Sequence, residues 1–124
     1  MSKRRVLLVD DEAGFTRLLR LVLKDFEIFE ENDPTKALEA ARRIRPDMIF
    51  LDVIMPELDG GSLAAEMRAD PQLAQTPIVF LTAIVSPAEA KDKSVIGGFP
   101  FLAKPVTKDK LVQCINKFLP PTLS

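Results

Sequence analysis

Four polar groups stand at the ends of short apolar runs in this sequence. Asp10-Asp11-Glu12 follows Val6-Leu7-Leu8-Val9, Asp52 follows Met48-Ile49-Phe50-Leu51, Thr82 closes Ile78-Val79-Phe80-Leu81, and Lys104 follows the run that ends at Ala103. Three carboxylates brought close together, Asp10, Asp11 and Asp52, repel one another unless protons or a cation compensate them. Oxygen ligands without His or Cys suit a hard cation, and an open site that keeps its waters favours Mg²⁺. Thr82 adds a hydroxyl and Lys104 a mobile ammonium. A carboxylate surrounded by a metal, an ammonium and a hydroxyl has the parts needed to neutralise a transferring phosphoryl group. Each residue alone has a plainer reading: an Asp pair capping a helix, Asp52 in a turn, Thr82 as a hydroxyl at a helix start, Lys104 in solvent. Those readings give no reason for four strand ends to carry complementary chemistry.

For these groups to meet, their strands must lie side by side. The strand candidates are Arg5–Val9, Glu27–Glu30, Met48–Leu51, Ile78–Thr82 and Phe99–Ala103. Three of them are continuously apolar, as strands buried on both faces are. Stretches of helical period fall between them. Phe15, Leu18, Leu19, Val22 and Leu23 form one stripe. Asp33-Pro34 reads as the N-cap and first position of a second helix, with Ala37, Leu38 and Ala41 facing inward. Leu63, Ala64 and Met67 mark a third helix, and the capping box Ser86-Pro87-Ala88-Glu89 opens a fourth that runs to Ile96. Thr107 caps a fifth, whose stripe is Leu111, Cys114, Ile115, Phe118 and Leu119.

This alternation predicts right-handed βαβ units and an α/β fold: a doubly wound five-stranded parallel sheet with helices on both faces. The acidic run from Glu27 to Glu31 does not suit the centre of a sheet. Pro100 cannot donate a ladder hydrogen bond, so the second and fifth strands are expected at the edges. The flavodoxin-like order 2-1-3-4-5 satisfies both conditions, and in such sheets ligands bind at the carboxyl ends of the strands, where the strand order reverses. Asp10, Asp11 and Asp52 then converge from neighbouring strands.

Composition excludes several other chemistries. A chain of 124 residues predicts one domain, expected to span residues 1–124. Seventeen basic against eighteen acidic residues, a net charge of −1, argue against nucleic acid or an anionic membrane as the direct partner. With no histidine the chain has no imidazole base, no His metal ligand and no phosphohistidine of its own. One cysteine, Cys114, excludes an internal disulfide and suits a reducing compartment; its place on the last apolar stripe favours packing over redox chemistry. The apolar run after the basic start is too short for a signal peptide or a membrane span, so a soluble cytoplasmic protein is expected.

Five motifs in order, Val9-Asp10-Asp11-Glu12, Leu51-Asp52-Val53-Ile54-Met55-Pro56, Asp59-Gly60, Leu81-Thr82-Ala83 and Lys104-Pro105, resemble the response-regulator receiver domain of two-component signalling, including single-domain chemotaxis regulators. The resemblance covers nearly the whole chain. It implies that Asp52 is the phosphoacceptor and that Asp10, Asp11, Asp52 and the backbone carbonyl of Ile54 hold Mg²⁺. It further implies that Thr82 and Lys104 grip the phosphoryl oxygens, that Lys104-Pro105 is a cis peptide, and that Thr82 and Phe101 form the switch. The donor would be a sensor histidine kinase or a histidine phosphotransfer protein. The downstream target is an unknown protein, and a homodimer is compatible with the family pattern.

Two departures stand out. Ile54 and Ile84 occupy positions that in the family tune attack of water on the acyl phosphate, and two apolar side chains there predict a long-lived phosphoryl group. Gly97-Gly98-Phe99-Pro100 replaces a commonly acidic stretch with apolar surface, where Phe99 either docks a partner or tucks under the helix beside it. That helix, ending at Ile96, has the weakest apolar stripe and is expected to be the element that shifts. A dehalogenase-type phosphatase would need an acid two residues past Asp52, where Ile54 stands, and an FMN binder would be repelled by Asp10-Asp11-Glu12. The competing reading is a receiver-fold interaction module that works without phosphorylation.

Overall fold

The apolar runs become the strands their composition predicts, because a strand with no polar side chain is stable only when both of its faces are covered. The computed structural model describes residues 3–52, 54–55, 58–82, 95–96, 99–104 and 106–119, with the backbone alone at 54–55, 58–61, 82, 95–96 and 99. In chain order the elements are β1 (Arg5–Val9), α1 (Ala13–Val22), β2 (Glu27–Glu31), a 3-10 turn (Pro34–Lys36) leading into α2 (Ala37–Ile44), and β3 (Met48–Asp52). Two short strands follow, β4 (Ile54–Met55) and β5 (Leu58–Asp59), then α3 (Gly60–Ala69), β6 (Ile78–Thr82), β7 (Val95–Ile96), β8 (Phe99–Ala103) and α4 (Lys108–Phe118).

The five long strands are parallel in the order β2-β1-β3-β6-β8, which is the expected 2-1-3-4-5 arrangement. Two details differ from expectation. The fifth long strand is not the outermost, since β7 pairs antiparallel with its outer side, Val95 opposite Pro100 and Ile96 opposite Phe99. Val95 and Ile96 therefore belong to a strand and not to the end of a helix, and residues 83–94 of that expected helix lie outside the described residues. A second small ribbon, β4 against β5, had no counterpart in the periodicity, because two-residue strands are too short to show a pattern.

Alternation along each strand sorts the core into two layers. Val6 and Leu8 of β1, Met48 and Phe50 of β3, and Val79 and Leu81 of β6 pack with Leu19, Leu23, Leu111, Cys114, Ile115 and Leu119 on the α1/α4 side. Leu7, Val9, Ile49, Leu51, Ile78 and Phe80 pack with Ala37, Ala41, Leu63, Ala64 and Met67 on the α2/α3 side. Each fully buried Leu, Ile or Phe contributes roughly 1.5–3 kcal/mol of transfer free energy, so the three central strands carry most of the core.

The helix ends follow local chemistry. Asp33 accepts from the Thr35 N–H at 3.0 Å and Pro34 takes the first helical position. Thr107 Oγ1 accepts from the Lys110 N–H at 3.2 Å, the cap expected for the last helix. On α1 the expected stripe needs one correction: Leu18 is 57% exposed, while Thr16 is fully buried. At 3.6 residues per turn Leu18 lies about 100° round the helix from Leu19, whereas Thr16 lies about 60° away, inside the buried sector with Phe15, Val22 and Leu23. An i, i+3, i+4 pattern fixes a stripe but not its width.

Candidate functional site

Register brings the acidic residues together. Val9 of β1 is opposite Leu51 of β3, so Asp10 and Asp52, each one residue further on, end at the same level on adjacent strands. Asp52 is the last residue of β3 and not the first of the following loop. Parity then sets direction: both residues continue the even-numbered face of their strands, the α1/α4 side. The side chains are buried, Asp10 at 1% exposure and Asp52 at 5%, while Asp11 is exposed. One carboxylate oxygen from each of Asp10, Asp11 and Asp52 lies within 4.8 Å of the other two. This all-oxygen donor set, with two members withdrawn from solvent and one open, is compatible with Mg²⁺.

Lys104 enters from the end of β8, whose Ala103 is in register with Thr82. Its ammonium donates to Asp10 Oδ2 at 2.6 Å and Glu12 Oε1 at 3.2 Å, with a longer contact to Asp52 Oδ2 at 3.5 Å. Its Nζ also sits 4.6 Å from the centre of the Phe15 ring, within cation–π range. Burial acts to lower its pKa, but the hydrogen bond to Asp10, the charges of Asp10 and Asp52 and the bond to Glu12 outweigh this. The net shift is upward from the ordinary lysine value, and Lys104 stays an ammonium.

Asp10 does not cap α1, because Glu12 holds the N-cap position. Its Oδ1 accepts from the Glu12 N–H at 2.9 Å, a turn-type contact two residues on, while its Oδ2 takes Lys104. Glu12, the N-cap residue of α1, makes no side-chain cap and turns its carboxylate to Lys104 instead. Three carboxylates therefore contact one ammonium and a fourth, Asp11, stands beside two of them, an excess of negative charge that a cation would relieve.

The remaining expected residues are placed less fully. Thr82 ends β6 and Ile54 opens β4 opposite Asp59, but their side chains lie outside the described residues, as do Pro105, Ile84, Val85 and the side chain of Phe99. Phe101 is half-buried and packs against the α2/α3-side cluster, on the opposite face of β8 from Leu102. Two contributors escaped the sequence reading: Phe15 beside Lys104, and Asn32, whose side-chain amide reaches the Asp10 carbonyl at 2.7 Å; Glu12 stands out in the sequence at the strand end, but its bond to Lys104 does not. A buried hydroxyl on an apolar helix face, Thr16, is the only trace such a contact leaves in composition.

Comparison with known proteins agrees with this geometry. A profile of the response regulator receiver domain matches residues 6–116. The DNA-binding response regulator MtrA of Mycolicibacterium paratuberculosis is 33% identical over 112 residues, 89% of this chain and 48% of that protein. Protein RcaC of Microchaete diplosiphon is 31% identical over 117 residues, 93% of this chain but 18% of RcaC. Among solved structures, the chemotaxis protein CheY4 of Vibrio cholerae superposes with a TM-score of 0.82 at 29% identity, covering 95% of this chain and all of that one. The chain belongs to the response regulator receiver domain family, the signalling receivers of two-component systems. It spans about half or less of the length of the curated relatives it matches. Among the described residues no helix is long and apolar enough to cross a membrane.

Proposed function

We propose that this domain takes a phosphoryl group from a partner's phosphohistidine onto a carboxylate oxygen of Asp52, in a Mg²⁺-dependent reaction, and that the modified domain binds a protein target. The observation that carries the proposal is the meeting of Asp10, Asp11 and Asp52 within 4.8 Å beside the Lys104 ammonium. These 124 residues contain no histidine, so the donor histidine lies outside this domain, on a sensor histidine kinase or a phosphotransfer protein. In the transfer the donor's P–N bond breaks, the imidazole nitrogen keeps the bonding pair, and an O–P bond forms to Asp52. Asp10, Asp11, Asp52 and the Ile54 carbonyl would hold Mg²⁺, which when bound would supply positive charge against the phosphoryl oxygens.

The chain's own groups do the positioning. The end of β3 fixes Asp52 for in-line approach, and Lys104, already within 3.5 Å of its carboxylate, meets the charge that arrives with the phosphoryl oxygens. Thr82 is assigned the third oxygen, and its movement toward the phosphoryl group opens space that Phe101 fills. Phe101 has no hydroxyl, so the inward ring gains packing alone. The identities of Ile54 and Ile84, apolar where a polar side chain could orient a water, support a long-lived acyl phosphate. A cytoplasmic location fits a reduced Cys114 and a cytoplasmic donor. The DNA-binding label belongs to MtrA, of which this chain covers 48%, and is not carried over.

Intact mass after incubation with acetyl phosphate tests the reading. A single phosphoryl adduct is expected on wild type with Mg²⁺, and none without Mg²⁺ or on Asp52→Asn. No adduct from acetyl phosphate or a cognate kinase, together with no response to beryllofluoride and Mg²⁺, would replace the phosphoacceptor reading with that of an unphosphorylated interaction module.

A further inference from the structure

Both backbone groups of Asp10 are held from β2 and the residue after it. Its N–H donates to the Glu31 carbonyl at 3.2 Å, and its carbonyl accepts from Asn32 Nδ2 at 2.7 Å. The same Nδ2 donates to Thr16 Oγ1 at 2.9 Å. Thr16 Oγ1 lies 2.8 Å from Glu30 Oε1 and 3.2 Å from the Ala13 carbonyl, and Arg20 Nη1 donates to Glu30 Oε2 at 3.1 Å. The proton count closes. The Asn32 amide has two protons for two acceptors, and the Thr16 hydroxyl accepts from Asn32 while donating its one proton onward. Thr16 is fully buried on a face otherwise lined by Phe15, Leu19 and Leu23, where valine would pack as well and only the hydroxyl distinguishes it.

The Asp10 carbonyl lies in the rigid peptide plane that joins Asp10 to Asp11. Turning that plane swings the Cα–Cβ bond of Asp11, the exposed member of the carboxylate trio. The Asp11 carboxylate is exposed and is carried by the residue directly after that carbonyl, so the backbone there sets where its side chain starts. We propose that Asn32, oriented by Thr16, is a positioning residue that sets the Asp10–Asp11 peptide plane and so directs the Asp11 carboxylate toward the divalent cation. The inference rests on the Mg²⁺-dependent reading above and adds to it a contact outside the metal ligands and the phosphoacceptor.

Calorimetric Mg²⁺ binding by the intact chain is the primary test, with the Mg²⁺ dependence of acetyl phosphate labelling as the second readout. Asn32→Leu, close in size but without the donor, is expected to weaken Mg²⁺ binding about tenfold, as loss of an outer contact to a metal ligand does, with the labelling rate at saturating Mg²⁺ little changed. Thr16→Val is expected to shift affinity in the same direction by about two- to fivefold, and Thr16→Ser, which keeps the hydroxyl, to restore it. Should Asn32→Leu not fold, the Thr16 pair carries the test. A merely structural role would lower the amount of active protein and leave the half-saturating Mg²⁺ concentration where it was, and that result overturns the proposal. If wild type itself binds no Mg²⁺, the phosphoacceptor reading falls first and the role of Asn32 with it.

Discussion

Replacing Asp11 by Asn should make the metal-free protein more stable and the Mg²⁺-loaded protein less so. The Asp11 oxygen lies within 4.8 Å of an oxygen of both Asp10 and Asp52. Two unit charges at that separation repel by about 0.9 kcal/mol in bulk water and by about 3.5 kcal/mol at an effective dielectric constant of about 20. Asp11 is exposed, so the lower end applies, and attraction to nearby Lys104 offsets part of the two repulsions. A net gain of about 1 kcal/mol in EDTA is expected for Asp11→Asn, which for a domain of this size raises the Tm by about 3–5 °C. Half-molar salt should remove much of the gain, since the Debye length then falls to about 4 Å. With Mg²⁺ at 100 times its Kd, wild type gains about 2.7 kcal/mol through binding to the folded state alone. The variant, lacking one ligand, gains less, and the order of the two melting curves reverses. Thermal unfolding followed by circular dichroism, in EDTA and in saturating Mg²⁺, reads both orders. An Asp11→Asn protein less stable than wild type in EDTA would refute the reasoning, because it would show that Asp11 is held by attraction and not poised by repulsion.

Lys104→Met should slow labelling by acetyl phosphate by about a hundredfold, the scale of losing one charge-stabilising donor, while a Mg²⁺ titration still saturates; intact mass against time measures it. Cys114 is buried and its thiol is pushed up to about 11, so at about pH 8 its native reaction with a disulfide reagent should be at least about a hundredfold slower than in the unfolded chain. Because the folded thiol holds its proton more tightly, stability should fall as pH rises from about 9 to about 11, and less so in Cys114→Ala. Asp70 is hydrogen-bonded by the Arg42 guanidinium, which with the Gln72 N–H holds its carboxyl below the usual carboxylate value. The stabilisation is present above the ordinary carboxylate pKa and lost as pH falls through the lowered one. Urea midpoints of wild type and Arg42→Met should therefore differ near neutral pH and converge in acid, once the pH is below the lowered Asp70 pKa.

The parts of this molecule that show in its sequence are those enforced by burial. Val6 to Val9, Met48 to Leu51 and Ile78 to Leu81 are apolar without interruption because both faces of each strand are covered, and a half-exposed strand would alternate instead. Their ends are readable for the same reason: the first polar residues after such runs, Asp10 and Asp52, have nowhere to go except the sheet's carboxyl edge. What stays hidden depends on register between segments distant in sequence. Asn32 reaches Asp10 only because Val9 is opposite Glu31, and no property of Asn32 itself announces that pairing. Leu18 looks inward in the sequence because a stripe of leucines does not say where its flank meets solvent. Glu12 and Phe15 are ordinary residues for a helix start, and their contacts to Lys104 arise from the far end of the chain.

The site also accounts for the rigid core that stands directly behind it. Four clustered carboxylates, three of them on one ammonium, form an arrangement that a flexible loop would relax by moving the acids apart. Here Asp52 is the last residue of a strand whose every position is buried, and Asp10 follows a strand buried from Val6 onward. Displacing either acid by an ångström would mean unpacking Phe50 or Leu8, side chains with almost no exposure, and large-to-small changes at such positions typically cost about 2–5 kcal/mol. That is comparable to the repulsion stored between the acids, so the sheet can hold them together until a cation arrives. Asp11 is the exception, outside the strand and exposed, and it is the member whose direction rests on a side-chain amide from β2's far end. A receiver with the strand acids intact and Asn32 altered should therefore lose metal affinity before it loses its fold.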